Sequence, residues 1–119
     1  MPNDPKSFLP LRPVEFLLLL ALADREQHGY ALTQAIAERT DGAVRLEPGN
    51  LYKVLKRLVS DGLIEPAGRR AVAELGNERR RYYRLTRLGG RVAALEAERL
   101  ERLLATSAVR TLVRRLGAT

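Results

Sequence analysis

A short helix with two unlike faces is encoded by residues 49–62, GNLYKVLKRLVSDG. Apolar residues in this segment recur three and four positions apart, which places them on one side of a helix. The basic residues lie on or beside the other side, and Gly62 follows the last periodic position, where helices commonly end. We therefore predict a helix whose inner stripe is formed by Leu51, Val54, Leu55, Leu58 and Val59.

Two further helices are predicted ahead of this segment. Pro13 suits the first turn of a helix, and residues 16–23 are apolar on every face, as in a buried helix. After a polar connection over residues 24–27, a second helix is predicted over residues 29–39. His28 is the single histidine of a chain without cysteine, so we expect it to be structural at this helix start rather than a metal ligand.

Two strands and two helices are predicted after the segment. Residues 63–65 and 80–85 have the composition of short strands joined by a loop. Thr86 is placed to cap a long fourth helix over residues 87–105. A last helix is predicted over residues 107–116.

This order of elements predicts a fold class that is mainly α with a small two-stranded β wing. It is the order of a winged helix-turn-helix followed by a C-terminal dimerisation helix. Residues 1–11 are expected to form an N-terminal arm, because three prolines oppose regular structure there. The DNA-binding domain is assigned to residues 12–85 and the C-terminal helical dimerisation segment to residues 86–119.

The composition excludes several classes of protein. The chain has 119 residues, a net charge of +7 and no cysteine, which rules out a disulfide framework and cysteine-based zinc sites. We predict no metal site and no cofactor. The longest apolar run is too short to span a membrane, and the N-terminus lacks a signal-peptide pattern. We therefore expect a cytoplasmic, nucleoid-associated protein.

The positive charge is concentrated in one part of the chain. Residues 66–91 carry eight arginines against two glutamates, whereas residues 1–65 are close to neutral. Such a patch on a small domain is typical of a protein that binds a polyanion, although a generally basic proteome is an alternative. Together with the basic face of the third helix, it favours double-stranded DNA as the partner. The candidate DNA-binding residues are Tyr30, Asn50, Tyr52, Lys53, Lys56 and Arg57 on the helices, and Arg69, Arg70, Arg79 and Arg80 in the wing. Arg81 belongs to the same run of wing arginines.

Structural roles are the alternative for several of these side chains. Tyr30 and Tyr52 can be half-buried rings whose hydroxyls reach backbone or water, and a basic helix face can simply be solvated. Arg57 stands four residues before Asp61, at the spacing of a helical ion pair. The adjacent tyrosines of residues 82–83 point to opposite faces of their strand, so one of them is expected in the core.

The fourth helix carries an apolar flank that needs a partner. We expect it to pack against a second copy of the chain, the alternative being the chain's own first helix. Arginines and glutamates, Glu96 among them, are expected to form a mixed-charge outer face. The candidate dimerisation residues are Val92, Leu95, Leu100, Leu103 and Leu104.

An enzyme is not predicted. No serine or threonine is paired with a recognisable base, and no glycine-rich loop has the spacing that holds phosphates. The competing interpretation is a winged-helix adaptor that binds protein or RNA without reading DNA sequence. Steep loss of affinity with salt would favour the duplex binder.

Four blocks of the sequence resemble a known family. They are HGYAL at residues 28–32, GNLYKVLKRL at 49–58, DGLIE at 61–65 and RRYYRLT at 80–86. In this order and spacing they are similar to the PadR family of bacterial transcriptional regulators. The resemblance covers about residues 13–105.

The resemblance implies a homodimeric winged-helix repressor that releases DNA when a small-molecule effector or another signal arrives. It implies that Tyr52 and Lys53, with Tyr30, grip the operator, and that the C-terminal helix packs on the partner's N-terminal helix. Two positions depart from the family: Asn50, where threonine or serine is usual, and Arg87, where proline is usual. The chain has no tryptophan, so a ligand pocket built on paired indoles is not supported.

Overall fold

Three helices form the amino-terminal half of the computed structural model, which describes residues 4–67 and 81–117. Proline occupies the first position of the first and third helices, where its missing N–H costs no hydrogen bond. The second helix has the predicted bounds, and the third begins one residue before the predicted segment. These helices are α1 (Pro13–Asp24), α2 (Gly29–Arg39) and α3 (Pro48–Ser60).

A tight turn closes α3 and sets the direction of the chain into the sheet. Gly62 has a φ of +79°, a left-handed conformation that favours glycine. The next amide, of Leu63, donates to the carbonyl oxygen of Leu58 at 3.0 Å. The glycine predicted to end the helix is therefore confirmed in that role.

Among the described residues, the sheet is antiparallel and has three strands rather than the predicted two. Its strands are β1 (Gln27–His28), β2 (Ile64–Ala67) and β3 (Tyr82–Leu85), in the order β1-β3-β2. β2 and β3 form the predicted pair, whereas β1 adds an edge to β3, with Gln27 opposite Tyr83. Gln27 is buried and its amide donates to the carbonyl oxygen of Ala21 at 2.6 Å, so part of the predicted polar connection belongs to the packed fold.

Two helices end the chain, α4 (Arg87–Leu104) and α5 (Ser107–Leu116). The predicted cap is confirmed, because the Thr86 hydroxyl accepts the Gly89 amide at 3.0 Å. Gly89 lies against the turn after α3: a Cβ added to it would fall 2.8 Å from the carbonyl carbon of Leu63 and closer still to the oxygen. The absence of a side chain at Gly89 therefore permits a close approach of α4 to this turn.

The N-terminal arm is partly regular, and its prediction as irregular chain is wrong. Residues Pro5–Phe8 form a 3-10 helix whose first turn is capped by the Asp4 carboxylate, which accepts the Lys6 amide at 3.0 Å. Proline is tolerated in this first turn because its missing N–H is not needed there. The 3-10 helix packs on α4, and Leu11 is buried.

The core lies between α1, α2, α3, the sheet and the first half of α4. The prediction that α1 is buried holds for its inner residues, whereas Phe16 is only partly buried against the core. Within the described ranges, no helix combines the length and apolarity needed to cross a membrane. The largest fully buried apolar side chains are Leu18, Leu19, Leu32, Ile36, Leu51, Leu55, Leu58, Leu63, Ile64 and Val92.

Candidate nucleic-acid interface

The outer face of α3 presents polar and basic side chains to solvent. Asn50, Lys53 and Lys56 are exposed, while the residues of the predicted inner stripe are buried or half-buried. Tyr52 is half-buried between α2 and α3, and its hydroxyl oxygen would lie 2.6 Å from a Cβ added to Gly29. The ring is therefore held in place by the close approach of the two helices, at the edge of the basic face.

A groove of about 390 Å³ separates α3 from the root of the wing. Lys53 and Lys56 line the groove on the α3 side. Arg81, the residue before β3, lines it on the wing side. Tyr52 and Tyr83 contribute aromatic surface, and no acidic side chain is among the described residues that line the groove. Three cations around one concave surface create a positive potential that attracts an anionic backbone.

A second cleft, of about 280 Å³, lies between the start of α2 and α3 and is mostly apolar. Tyr30 lines it and is 62% exposed, an unusual exposure for a large aromatic side chain. Tyr52 lines both this cleft and the groove beside α3. The two tyrosines that the resemblance assigns to operator binding thus lie on one continuous face with Lys53.

His28 fixes the start of α2. Its Nδ1 accepts the Ala31 amide at 3.2 Å, which confirms the structural role predicted for it. The imidazole also packs edge-to-face with the Tyr82 ring, with 5.3 Å between the ring centroids. It lies nearly parallel to the Tyr30 ring, with 6.5 Å between the centroids. Tyr83 points the other way and is buried, as expected for one of the two adjacent tyrosines.

Arg57 does not form the predicted helical pair with Asp61. Its Nε donates instead to the Glu15 carboxylate of α1 at 3.2 Å. Glu15 is fixed at the start of its helix, where its other oxygen accepts the Arg12 amide at 3.0 Å. A fixed acceptor on a neighbouring helix thus takes the guanidinium, and spacing along α3 alone cannot reveal this contact.

Four of the predicted wing arginines, Arg69, Arg70, Arg79 and Arg80, lie outside the described residues. Arg84, on β3, is described and is engaged in ion pairs. It donates to Glu65 on the neighbouring strand at 2.7 Å and lies 4.0 Å from Glu26. The hydrogen bond and charge of Glu65 raise the pKa of Arg84 above its usual value. Arg81 is therefore the described wing-root arginine that lines the groove.

The predicted dimerisation flank is divided between core and surface. Val92 is fully buried within its own chain, so its assignment to a subunit interface is corrected. Leu95 and Leu100 are half-buried, whereas Leu103 and Leu104 are exposed. α5 also has exposed apolar side chains, at Leu112, Val113 and Leu116. None of the three was predicted as a dimerisation residue, although their helical spacing is visible in the sequence.

Glu96 is buried, which corrects its placement on an outer charged face. Only 2% of the residue is exposed, and its two oxygens accept from the Arg99 guanidinium at 2.6 and 3.0 Å. The Leu11 amide donates to the same carboxylate at 3.1 Å. These bonds, that of Arg99 foremost, lower the pKa of Glu96 below its usual value although burial acts to raise it. The carboxylate thus ties the arm to α4.

Metal chemistry has no candidate in the described ranges, where no cluster of three or more potential ligands occurs. What the described geometry offers instead is a convex basic helix, a cationic groove and flanking aromatic side chains. Side chains of this kind can bind phosphates and base edges.

Known proteins are similar to this chain in sequence and in fold. The chain matches the family model of the transcriptional regulator PadR-like family over residues 18–95. It is 34% identical over 90 residues to the transcriptional regulator Rv3488 of Mycobacterium tuberculosis, covering 76% of this chain and 78% of that protein. It is also 40% identical over 89 residues to an uncharacterized 37.1 kDa protein of transposon Tn4556 from Streptomyces fradiae. That match covers 75% of this chain but only 23% of the Streptomyces protein.

Solved structures show the same fold at lower identity. RosR of H. salinarum superposes with a TM-score of 0.65 at 23% identity, with 90% of each chain covered. A PadR family transcription regulator of Clostridium difficile superposes with a TM-score of 0.59, also at 23% identity, covering 76% of this chain and 93% of that chain. The matching family is one of transcriptional regulators and not of enzymes. Because its family model spans α2, α3, the sheet and the start of α4, this chain belongs to the PadR-like family of transcriptional regulators.

Proposed function

We propose that this regulator represses transcription by binding an inverted-repeat operator in double-stranded DNA as a homodimer. The observation that carries the proposal is the cationic groove between α3 and the wing root, lined by Lys53, Lys56 and Arg81 with no acidic side chain among its described residues. It lies beside an exposed helix face, so one duplex can contact both.

The dimensions of α3 suit the major groove. A helix of 13 residues is about 20 Å long, and the major groove is about 12 Å wide and admits a helix with its side chains. Lys53, at the middle of the exposed face, would meet base edges or phosphates. Lys56 and Arg81 would meet the phosphate backbone, with Tyr30 and Asn50 at the border of the face. The wing arginines of residues 69–80 would extend these contacts along the duplex.

The C-terminal helices would supply the dimer contact. Leu103 and Leu104 are exposed at the end of α4, and the exposed residues of α5 recur at the spacing of one helical stripe. A second copy would cover this surface about a two-fold axis. The two copies of α3 would then stand about 34–36 Å apart, one turn of DNA. An effector bound between the subunits would change the separation of the two α3 helices. The protein would act at the nucleoid in the cytoplasm.

Selection from a random duplex library at two salt concentrations tests DNA recognition. Enrichment of an inverted repeat with half-sites one turn apart is the expected result. Salt-sensitive binding without enrichment would indicate a nonspecific DNA-binding protein. Absence of duplex binding at either salt concentration would instead favour an adaptor for protein or RNA.

A pair of lysine variants tests the site itself. Lys53→Ala is expected to weaken operator binding by about 1–3 kcal/mol if Lys53 reads a base. Lys6→Ala is the matched control, because it removes the same charge from an exposed position on the 3-10 helix. Equal affinities of the folded Lys53→Ala variant and the wild type would remove Lys53 from the interface.

A pair of substitutions at Leu112 tests the dimer. Leu112→Asp places a charge in the exposed stripe and is expected to yield monomers in sedimentation equilibrium, with weakened operator binding. Leu112→Met keeps the apolar surface and should leave the dimer intact. If the aspartate variant sediments as a dimer, the subunits meet elsewhere.

A further inference from the structure

We propose that Glu15 is an internal competitor of DNA for Arg57, and that Arg57 contacts phosphate only when it leaves this carboxylate. The inference rests on the proposed function, because it concerns the same α3 face. Glu15 would then lower both the affinity for DNA and its dependence on salt.

The position of Arg57 makes it available to a duplex. It follows Lys53 by four residues, so the two side chains are neighbours on the surface of α3. The Arg57 side chain remains 43% exposed while its Nε donates to Glu15. A backbone that reaches Lys53 therefore lies within the range of the long, flexible Arg57 side chain.

The chemistry of the two acceptors is equivalent. A guanidinium binds a carboxylate or a phosphate oxygen with the same charge-assisted hydrogen bonds. Glu15 is only 13% exposed and is fixed by the Arg12 amide, so its carboxylate is positioned before any DNA arrives. A fixed internal anion and an incoming phosphate thus compete for the charge and the donors of one guanidinium.

Glu15→Gln removes the competing charge and keeps the local structure. Glutamine can still accept the Arg12 amide, as it does at this position of a capping box. Arg57 would then be released to a phosphate. Each added phosphate contact steepens the slope of log affinity against log salt by about 0.9. The gain in affinity should therefore shrink about threefold between about 50 and 200 mM salt.

A second ion pair provides the matched control. Asp24 at the end of α1 binds Arg39 at the end of α2 at 2.6 Å, about 14 Å along α2 from Tyr30 and the DNA face. Asp24→Asn changes the net charge by the same amount and releases an arginine from the same kind of contact. We expect its salt slope to equal that of the wild type.

The experiment measures binding of a mixed-sequence duplex across a salt series by fluorescence anisotropy. The inference is supported if Glu15→Gln binds more tightly with a steeper slope, and if adding Arg57→Gln restores the wild-type slope. It is overturned if the slope of Glu15→Gln is unchanged or shallower, if Asp24→Asn is equally steep, or if the double variant keeps the gain. Far-UV circular dichroism establishes that each variant is folded.

A single substitution of Arg57 provides an independent readout that leaves Glu15 and its cap intact. Arg57→Gln in the wild-type background should change the slope little, because Glu15 already holds the guanidinium. A slope shallower by about 0.9 would mean that Arg57 binds phosphate despite Glu15, and would overturn the inference. Failure of the wild type to bind duplex would instead refute the proposed function.

Discussion

Replacing Gly89 by alanine should show whether the glycines at the start of α4 permit a close approach to Leu63 or only lower the helix propensity. A Cβ at Gly89 would overlap the Leu63 carbonyl, falling 2.8 Å from its carbon. A Cβ at Gly90 would lie 3.6 Å from a methyl of Leu85, which is an ordinary contact. The neighbouring glycine is therefore a matched control with the same chemical change in the same helical turn.

The magnitude follows from what must move. Alanine favours the helix by about 1 kcal/mol over glycine, but overpacking a tight contact costs about 1–3 kcal/mol. Moving α4 away also weakens two hydrogen bonds of Thr86, to the carbonyl oxygens of Gly62 at 2.6 Å and Leu63 at 3.1 Å. Each is worth about 1 kcal/mol, so we expect Gly89→Ala to destabilise the fold by about 3 kcal/mol. Gly90→Ala should be stabilising by up to about 1 kcal/mol.

Urea unfolding followed by far-UV circular dichroism measures both variants. Protein concentration must be held constant, since association of subunits would add to the apparent stability. The close-approach argument is refuted if Gly89→Ala is as stable as the wild type. If both variants are stabilised equally, the two glycines only weaken the helix.

Two further predictions concern the Glu96 carboxylate, which ties the arm to α4, and the His28 imidazole, which caps α2. Because the pKa of Glu96 is lowered in the folded chain, its contribution to stability is complete above the unfolded value of about 4.3 and is lost as pH falls through the folded value. The stability advantage of the wild type over Glu96→Gln should therefore be constant near neutral pH and shrink as pH falls below about 4.3 in urea titrations, and an advantage that stays constant there would contradict this. His28→Ala should cost about 1 kcal/mol by removing the cap of α2, and His28→Asn should recover part of it in the same assay. Equal stability of these two variants would show that the cap contributes nothing.

The helices were predictable because their signals are local and repeated. Pro13 starts α1, Thr86 caps α4 and Gly62 closes α3, each as the sequence indicates. The apolar periodicity of a helix and its capping residues both indicate where the helix begins or ends, so two independent signals define each boundary. The two-residue strand β1 has neither a period nor a turn signal, and only its pairing with β3 defines it.

The ionic contacts were not predictable for a related reason. Arg57 and Asp61 have the right spacing for an ion pair. Arg57 pairs instead with Glu15, 42 positions away, because the start of α1 is fixed beside α3. Glu96 has arginine neighbours in sequence, as a solvent-facing residue would. Its carboxylate is instead buried and accepts the amide of Leu11, which is 85 positions away. Long-range packing decides both cases, and no pattern along one helix reports it.

Packing in the core also bears on how the chain is divided into domains. Val92 and Ala93 of α4 belong to one buried cluster with residues of α1 and α3, and the 3-10 helix packs on α4. The boundaries predicted after residues 11 and 85 thus cut through contacts of one packed core. α4 has 18 residues, so it extends about 27 Å from this core to the exposed leucines. Because a continuous helix is stiffer than a loop, we expect a shift at those leucines to reach the core as a rigid displacement of α4.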